Sequence, residues 1–327
     1  MSNQSASWGR ERIAEPDAAG LLRASELLRR GSVCAFPTET VYGLGGHAFS
    51  AEAVAEIYRL KNRPAWNPLI IHVGSAERAE SLARDWPDSA AALAERYWPG
   101  PLTLVVDRAT GLPHVGGGDE HTIAIRVPAH PVAQSLLREC ELPLAAPSAN
   151  RSEQISPTRA EHVVRSLPDV PLVLDGGPCD FGIESTVVDV TGGRVTLLRP
   201  GALALRSIRD VVGKVDLPDH SGALRSPGLG KRHYAPQAKL IVLGSILAED
   251  LSGLPGPAGV LTYDDAVPPG VTGPVELLSP DPREYAADLY AALHRLDDAG
   301  VKTIVALAPP AGDEWLAVND RLTRAAR

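Results

Sequence analysis

Cysteine is almost missing from this sequence: Cys34, Cys140 and Cys179 are far apart and show neither a C-x-x-C nor a zinc-type spacing. Such spacing argues against a disulfide framework or a metal knuckle and fits a reducing compartment. Long apolar runs are also missing, since none approaches the ~18 residues that a membrane span needs. The first thirty residues are broken up by Arg10, Glu11, Arg12, Glu15, Asp17, Arg23, Glu26, Arg29 and Arg30, so no apolar leader segment is read there and a cytoplasmic protein is expected. An excess of basic charge is lacking too. The formal net charge of -8 and the 5% of aromatic residues argue against broad nucleic-acid binding, although a local basic patch stays compatible with them. Neither G-x-x-x-x-G-K-[ST] nor G-x-S-x-G occurs, which removes the usual phosphate cradle and the nucleophile elbow. Gly116-Gly117-Gly118 reads as a flexible turn with no phosphate role.

What is present suffices for two domains. A length of 327 residues exceeds the usual single domain, and a 44% apolar content supports a substantial core. Helical spacing through Leu21, Leu22 and Leu28 predicts a helix from Asp17 to Arg30 that stops at Gly31, and a short strand follows from Val33 to Phe36. A second helix is predicted from Ser50, with Val54, Ile57 and Tyr58 on its buried face, ending before Pro64. Strands are predicted over Leu69–Val73, Leu102–Val106, Thr122–Val127, Leu172–Leu174, Thr186–Val190 and Val195–Leu198, with helices near Ala133–Glu139 and Arg159–Ser166. The alanine-rich stretch from Ala79 to Ala94 reads as helix surface. Because strands and helices mix without strict alternation, the expected fold is α/β, a mixed twisted sheet with flanking helices, over residues 11–215. A Gly-, Pro- and base-rich linker is expected over 216–238 and a small parallel α/β domain, Rossmann-like, over 239–327.

Several polar clusters stand at the ends of apolar runs. Phe36-Pro37-Thr38-Glu39-Thr40-Val41-Tyr42-Gly43-Leu44-Gly45 places hydroxyls and a carboxylate after a strand, with Gly43, Gly45 and Gly46 allowing close backbone approach. A plain Thr/Gly turn is the bland alternative. Lys61-Asn62-Arg63-Pro64 offers a movable point charge and a fork-shaped donor, or else simple charge complementarity at a helix C-terminus. Arg126 shares a strand face with Thr122 and Ala124, so it is either buried with a partner or solvated on an edge strand. Leu144-Ala145-Ala146-Pro147-Ser148-Ala149-Asn150 puts small residues ahead of polar ones. Thr158 with Glu161 reads as a capping box. In the linker, His233-Tyr234-Ala235-Pro236 is unusually aromatic and basic for a spacer.

Taken together these clusters resemble the YrdC-like family of threonylcarbamoyl-AMP synthases in its longer, two-domain form. The resemblance runs from about Asp17 to Ile208, through the linker, to a C-terminal portion that includes Asn319-Asp320-Arg321. It implies a nucleotidyltransferase that combines L-threonine, bicarbonate or CO2, and ATP into threonylcarbamoyl-AMP and pyrophosphate. The product would pass to a tRNA-modifying transferase complex, with no membrane and no stable direct nucleic-acid binding. Carried over residue by residue, Thr40, His72, Arg126, Ala146 and Ser185 would meet threonine, Arg126 through its carboxylate. Lys61, Arg63, Asn67, Thr122, Ser148, Asn150, Ser156, Arg199 and Tyr234 would meet ATP. Tyr42 would shape the pocket wall, and Ser226 to Pro236, with Gly228, Gly230, Lys231 and Arg232, would form a lid. Mg2+ would arrive with ATP, no metal-ligating residue is expected in the protein, and no general base is identified. Two other readings are an RNA-binding module and a carbamoyl-transferring relative of hydrogenase maturation, the latter expected to bring cysteine-rich zinc segments.

Overall fold

The computed structural model describes residues 10–217, 233–254, 256–264 and 271–326. The first unit contains β1 (Ile13–Ala14), α1 (Ala18–Arg29), β2 (Val33–Phe36), β3 (Gly43–His47), α2 (Ala51–Lys61), β4 (Ile70–His72), α3 (Ala76–Glu80), α4 (Asp88–Tyr97), β5 (Leu102–Asp107) and β6 (Thr122–Arg126). It continues with α5 (Pro131–Cys140), β7 (Leu144–Ala145), α6 (Ala160–Ser166), β8 (Val173–Leu174), β9 (Thr186–Asp189), β10 (Thr196–Arg199) and α7 (Leu205–Val212). Its strands form one ten-stranded sheet in the order β1-β8-β2-β3-β7-β4-β6-β5-β9-β10. Parallel pairs (β1/β8, β2/β8, β4/β6, β5/β9) alternate irregularly with antiparallel ones, so the sheet is mixed.

The second unit contains β11 (Lys239–Leu243), α8 (Ala248–Ser252), β12 (Ala258–Thr262), β13 (Val275–Leu277), α9 (Pro282–Asp298), β14 (Thr303–Leu307) and α10 (Leu316–Ala325). Its four strands are all parallel, in the order β11-β14-β12-β13. Both expected architectures are therefore observed. Among the described residues no helix is long and apolar enough to cross a membrane.

Local chemistry sets the element ends. The Asp17 side chain accepts from Gly20 N and opens α1, and Gly31 at φ 77° takes the left-handed turn after it. Ser50 caps α2, and Asn62 closes it at φ 48°, a conformation that asparagine tolerates better than most residues. That turn swings Arg63 off the helix axis and back toward the sheet.

Several local expectations need correction. Leu22 is 49% exposed; of the three leucines in the spacing only Leu28 is fully buried, and the rest of the inward stripe of α1 is the small residues Gly20, Ala24 and Ser25. Ala79, Ala90 and Ala94 are buried rather than on a helix surface. Gly43 to Gly46 form strand rather than turn: a Cβ on Gly45 would lie 2.6 Å from the Phe36 ring, so glycine there lets an aromatic cross the sheet face. Only Gly43 of that run reaches the cleft described below. Thr158 is not a helix cap; α6 starts after Arg159, and Thr158 contacts the ring nitrogen of His162. The hydroxyl of Tyr42 donates to the Gly177 carbonyl, and the fully buried ring packs in the core instead of lining the pocket. Lys61 and Arg63, at the C-terminal end of α2, are both buried.

Candidate functional site

The middle of the sheet creates the site. Parallel pairing sets His72 beside Arg126, antiparallel pairing sets His72 beside Leu144, and an isolated bridge joins Gly43 to Ser148. The loop between β2 and β3, the end of α2, and the ends of β4, β6 and β10 thus open onto one cleft. Thr40, Arg63, His72, Arg126, Ala146, Ser148, Ser185, Arg199 and Tyr234 line it, together with Thr38, Val41, Ile70, Pro147, Glu184 and His233.

Arg126 is on β6, which lies between β4 and β5, so the edge-strand alternative does not hold. Its guanidinium has three acceptors: Nη2 lies 2.7 Å from Glu39 Oε1, Nη1 donates to Thr40 Oγ1 at 2.8 Å, and Nε donates to Gly100 O at 3.2 Å. The Glu39 contact is a charge contact with off-line geometry, since neither carboxylate oxygen makes an aligned hydrogen bond. Glu39 and Arg126 side chains are 3% and 4% exposed, and Glu39 stands behind the arginine rather than on the cleft surface. The Thr38 hydroxyl donates to Val41 O at 2.6 Å, so the 2.8 Å contact between the two threonine hydroxyls must run from Thr40 to Thr38. With its proton used there and one lone pair taken by Arg126, Thr40 has only an acceptor lone pair left for the cleft.

On the opposite side Lys61 Nζ donates to Ser148 O at 2.6 Å and Asn150 O at 2.5 Å, pinning the loop after β7 to the end of α2. Burial and the neighbouring Arg63 push its pKa well below the usual lysine range, against the pull of Glu184. Arg63 donates Nη2 to Asn67 Oδ1 at 2.6 Å and to Pro68 O at 2.7 Å, and burial lowers it to about 10. Asn67 therefore shapes Arg63 from behind. Arg199 donates Nη2 to Ser185 O at 2.9 Å and to Ser185 Oγ at 3.1 Å.

Five of the residues carried over from the resemblance do not line this cleft. Besides Lys61 and Asn67, Asn150 directs its amide to Arg151 O and Gln154 O, and Ser156 donates to Glu184 Oε1 at 2.6 Å. Thr122 faces a separate hollow with Arg108, His114 and Asp119. The lid residues Ser226, Gly228, Gly230, Lys231 and Arg232 lie outside the described residues, whereas His233 and Tyr234 are described and buried in the cleft wall.

The sequence reading gave Glu184, at the head of the run Glu184-Ser185-Thr186, no role of its own. Burial opposes its ionisation, but the Arg321 and Arg199 guanidiniums and the Ser156 hydrogen bond bring its pKa down to about 2, so it is a carboxylate with its oxygens occupied. No local signal marks it, because Arg321 lies 137 residues away. His72 is pushed down to about 3 by burial and then by Arg126, and is neutral at ordinary pH. His72 Nδ1, His233 Nδ1 and the Tyr234 hydroxyl are buried without a hydrogen-bond partner in the protein. Unsatisfied polar atoms gathered at one cleft are what a ligand site presents.

A mixed sheet with a cleft lined by Arg63, Arg126 and Arg199, packed against a small parallel α/β unit, defines a two-unit α/β protein. A family model described as telomere recombination (Sua5, YciO, YrdC) matches residues 26–201, and one described as threonylcarbamoyl-AMP synthase, C-terminal domain, matches 203–327. The chain belongs to the two-domain branch of this YrdC/Sua5 family. It is 40% identical to the threonylcarbamoyl-AMP synthase of Pyrococcus abyssi, over 92% of each chain. It is also 40% identical to that of Bacillus subtilis, over 94% of this chain and 92% of the relative. Its structure superposes on that of P. abyssi Sua5 complexed with L-threonine at TM-score 0.85, 36% identity and 96% coverage of both chains.

Proposed function

We propose that this chain is a threonylcarbamoyl-AMP synthase, a nucleotidyltransferase that joins L-threonine, bicarbonate or CO2, and ATP and releases pyrophosphate. Its product would supply the threonylcarbamoyl group for modification of tRNA by a separate transferase. The observation that carries this reading is the convergence of Arg63, Arg126 and Arg199 on one cleft with the unpartnered atoms of His72, His233 and Tyr234. The names of the relatives with 40% identity supply the product, the related structure complexed with L-threonine supports that substrate, and ATP and bicarbonate are consistent with the product's chemistry.

Roles follow from the two ends of the cleft. Arg126, held from behind by Glu39, Thr40 and Gly100, presents its remaining N–H face to the threonine carboxylate. Thr40 offers only a lone pair, so it receives an N–H or O–H of the amino acid. Arg63 and Arg199 face the phosphates, with Lys61 fixing the Ser148 loop that borders them. The threonine nitrogen, as the free amine, attacks the CO2 carbon and gives up a proton to solvent as the N-carboxylate forms; that carboxylate oxygen then attacks the α-phosphorus as the bond to pyrophosphate breaks. Positioning and charge neutralisation supply the acceleration, since the cleft offers no covalent nucleophile in a reactive pair. Glu184 is no proton acceptor here, being held ionised with its oxygens already accepting. Mg2+ would be brought by the triphosphate of ATP, whose charge it would help to neutralise.

The test is pyrophosphate release with threonine, bicarbonate and ATP omitted in turn. Release should need all three. ATP turnover indifferent to threonine would overturn the reading.

A further inference from the structure

We infer that Arg321, carried on α10 of the C-terminal domain, is a positioning residue for the nucleotide side of the cleft, neutralising Glu184 and holding Tyr234 in place. The inference rests on the reading of that cleft as an ATP site. It makes the second domain part of the site rather than a neighbour of it.

Glu184 lines the cleft beside Arg63 and Arg199. A bare carboxylate there would repel a triphosphate. It is not bare: Oε2 accepts from Arg321 Nε at 2.8 Å and from the Tyr290 hydroxyl at 3.0 Å, while Oε1 accepts from Ser156 at 2.6 Å. Two of these three donors come from the C-terminal domain. Arg321 itself is 1% exposed, and its Nη2 donates to Pro200 O at 2.9 Å, the residue after Arg199. One side chain thus ties the carboxylate and the backbone next to Arg199 together.

The same guanidinium covers an aromatic ring. Arg321 Cζ lies 4.8 Å from the centroid of Tyr234, which also stacks with Tyr290 at 5.8 Å and 26°. A guanidinium over a desolvated tyrosine face is attractive and fixes the ring plane. Tyr234 needs such support, because its φ is 63° and its hydroxyl has no protein partner. None of these contacts reaches the other end of the cleft, where Glu39, Thr40 and Gly100 hold Arg126.

Removing Arg321 therefore leaves Glu184 with only Arg199 of its two guanidinium counter-charges and takes the supporting cation off the Tyr234 ring, both on the nucleotide side. In the full-length protein, Arg321→Gln is expected to raise KM for ATP about tenfold or more, the loss of one charge-assisted contact, with KM for threonine unchanged. Adding Glu184→Gln to it removes the Glu184 charge, and ATP KM should fall back most of the way. Should Arg321→Gln not fold, Arg321→Lys carries the test: its point charge still meets Glu184 but cannot also cover the ring and reach Pro200, so ATP KM rises several-fold alone. ATP KM within twofold of wild type, equal rises for both substrates, or a double variant as impaired as the single would each overturn the inference. Lack of threonine-dependent pyrophosphate release in the unsubstituted protein would overturn the ATP reading of the cleft, and the inference with it.

Discussion

Replacing Glu39 by alanine should destabilise the protein more than any single surface change. Its Oε1 lies 2.7 Å from Arg126 Nη2, and at an effective dielectric of about 20 that contact is worth about 6 kcal/mol before desolvation is subtracted. Both side chains are almost completely buried, so the arginine left behind cannot recover the loss from water. Removal of one partner from such a pair costs about 3–5 kcal/mol, on the order of 10 °C in Tm for a domain of this size. Glu39→Gln should cost less, because the amide fills the same space and leaves a polar group beside Arg126, which keeps Thr40 and Gly100. A double replacement by apolar residues, Glu39→Leu with Arg126→Met, should be closer to wild type in stability than Glu39→Ala, since no charge is stranded. Urea unfolding of the four proteins without ligands is the assay. A Glu39→Ala stability within about 0.5 kcal/mol of wild type, the range of ordinary surface substitutions, would refute the reasoning.

Three further outcomes are expected. Gly45→Ala forces a Cβ to 2.6 Å from the Phe36 ring and should cost about 1–3 kcal/mol, whereas Gly74→Ala, with its nearest neighbour at 3.8 Å, should be tolerated in the same melting experiment. Arg63→Ala should weaken ATP and Arg126→Ala threonine, each by roughly tenfold to a hundredfold, and calorimetric titration showing the reverse assignment would contradict the two-ended cleft. His162 and His294 stack at 3.9 Å between α6 and α9, and burial lowers them to about 3 and about 4. Below their ordinary value near 6.5 the unfolded chain binds the protons first, so stability is full above that pH and falls on acidification toward 4, by up to ~1.4 kcal/mol per pH unit for each histidine. His294→Gln should flatten the slope of Tm against pH over this window; an unchanged slope would remove the pair from the account.

The two architectures and the polar clusters at element ends were legible in the sequence because both follow from local pattern, whereas the individual ligand residues came from the family resemblance. Apolar runs ending in Thr38 to Thr40, Lys61 to Arg63 and Ser148 to Asn150 mark strand and helix ends that open onto a cleft, and nine of the fourteen carried-over residues line it. What stayed hidden depends on distance along the chain. Glu39 reads as one more polar group facing a ligand, and only the packing of β6 against the β2–β3 loop shows it to be the counter-ion of Arg126. Lys61, Asn67 and Ser156 have the residue types of ligands, yet their bonds run to protein groups. The strand Gly43–His47 is hidden for a different reason. Its composition favours a turn, and the requirement that overrides it is steric, the Phe36 ring crossing Gly45.

The strand order also governs how the molecule can assemble. Ile13 and Ala14 pair with Val173 and Leu174, and β8 must seat against β2 before that edge exists. The sheet therefore cannot close by adding hairpins in order of synthesis, and its loop-closure cost falls early while the compensating contacts come late. A chain with such pairings folds slowly, and its half-formed sheet exposes unpaired strand edges in the interval. Protection of the Ala14 amide, which faces β8, should consequently appear in pulse-labelled exchange only with that of β8, well after α1 has formed.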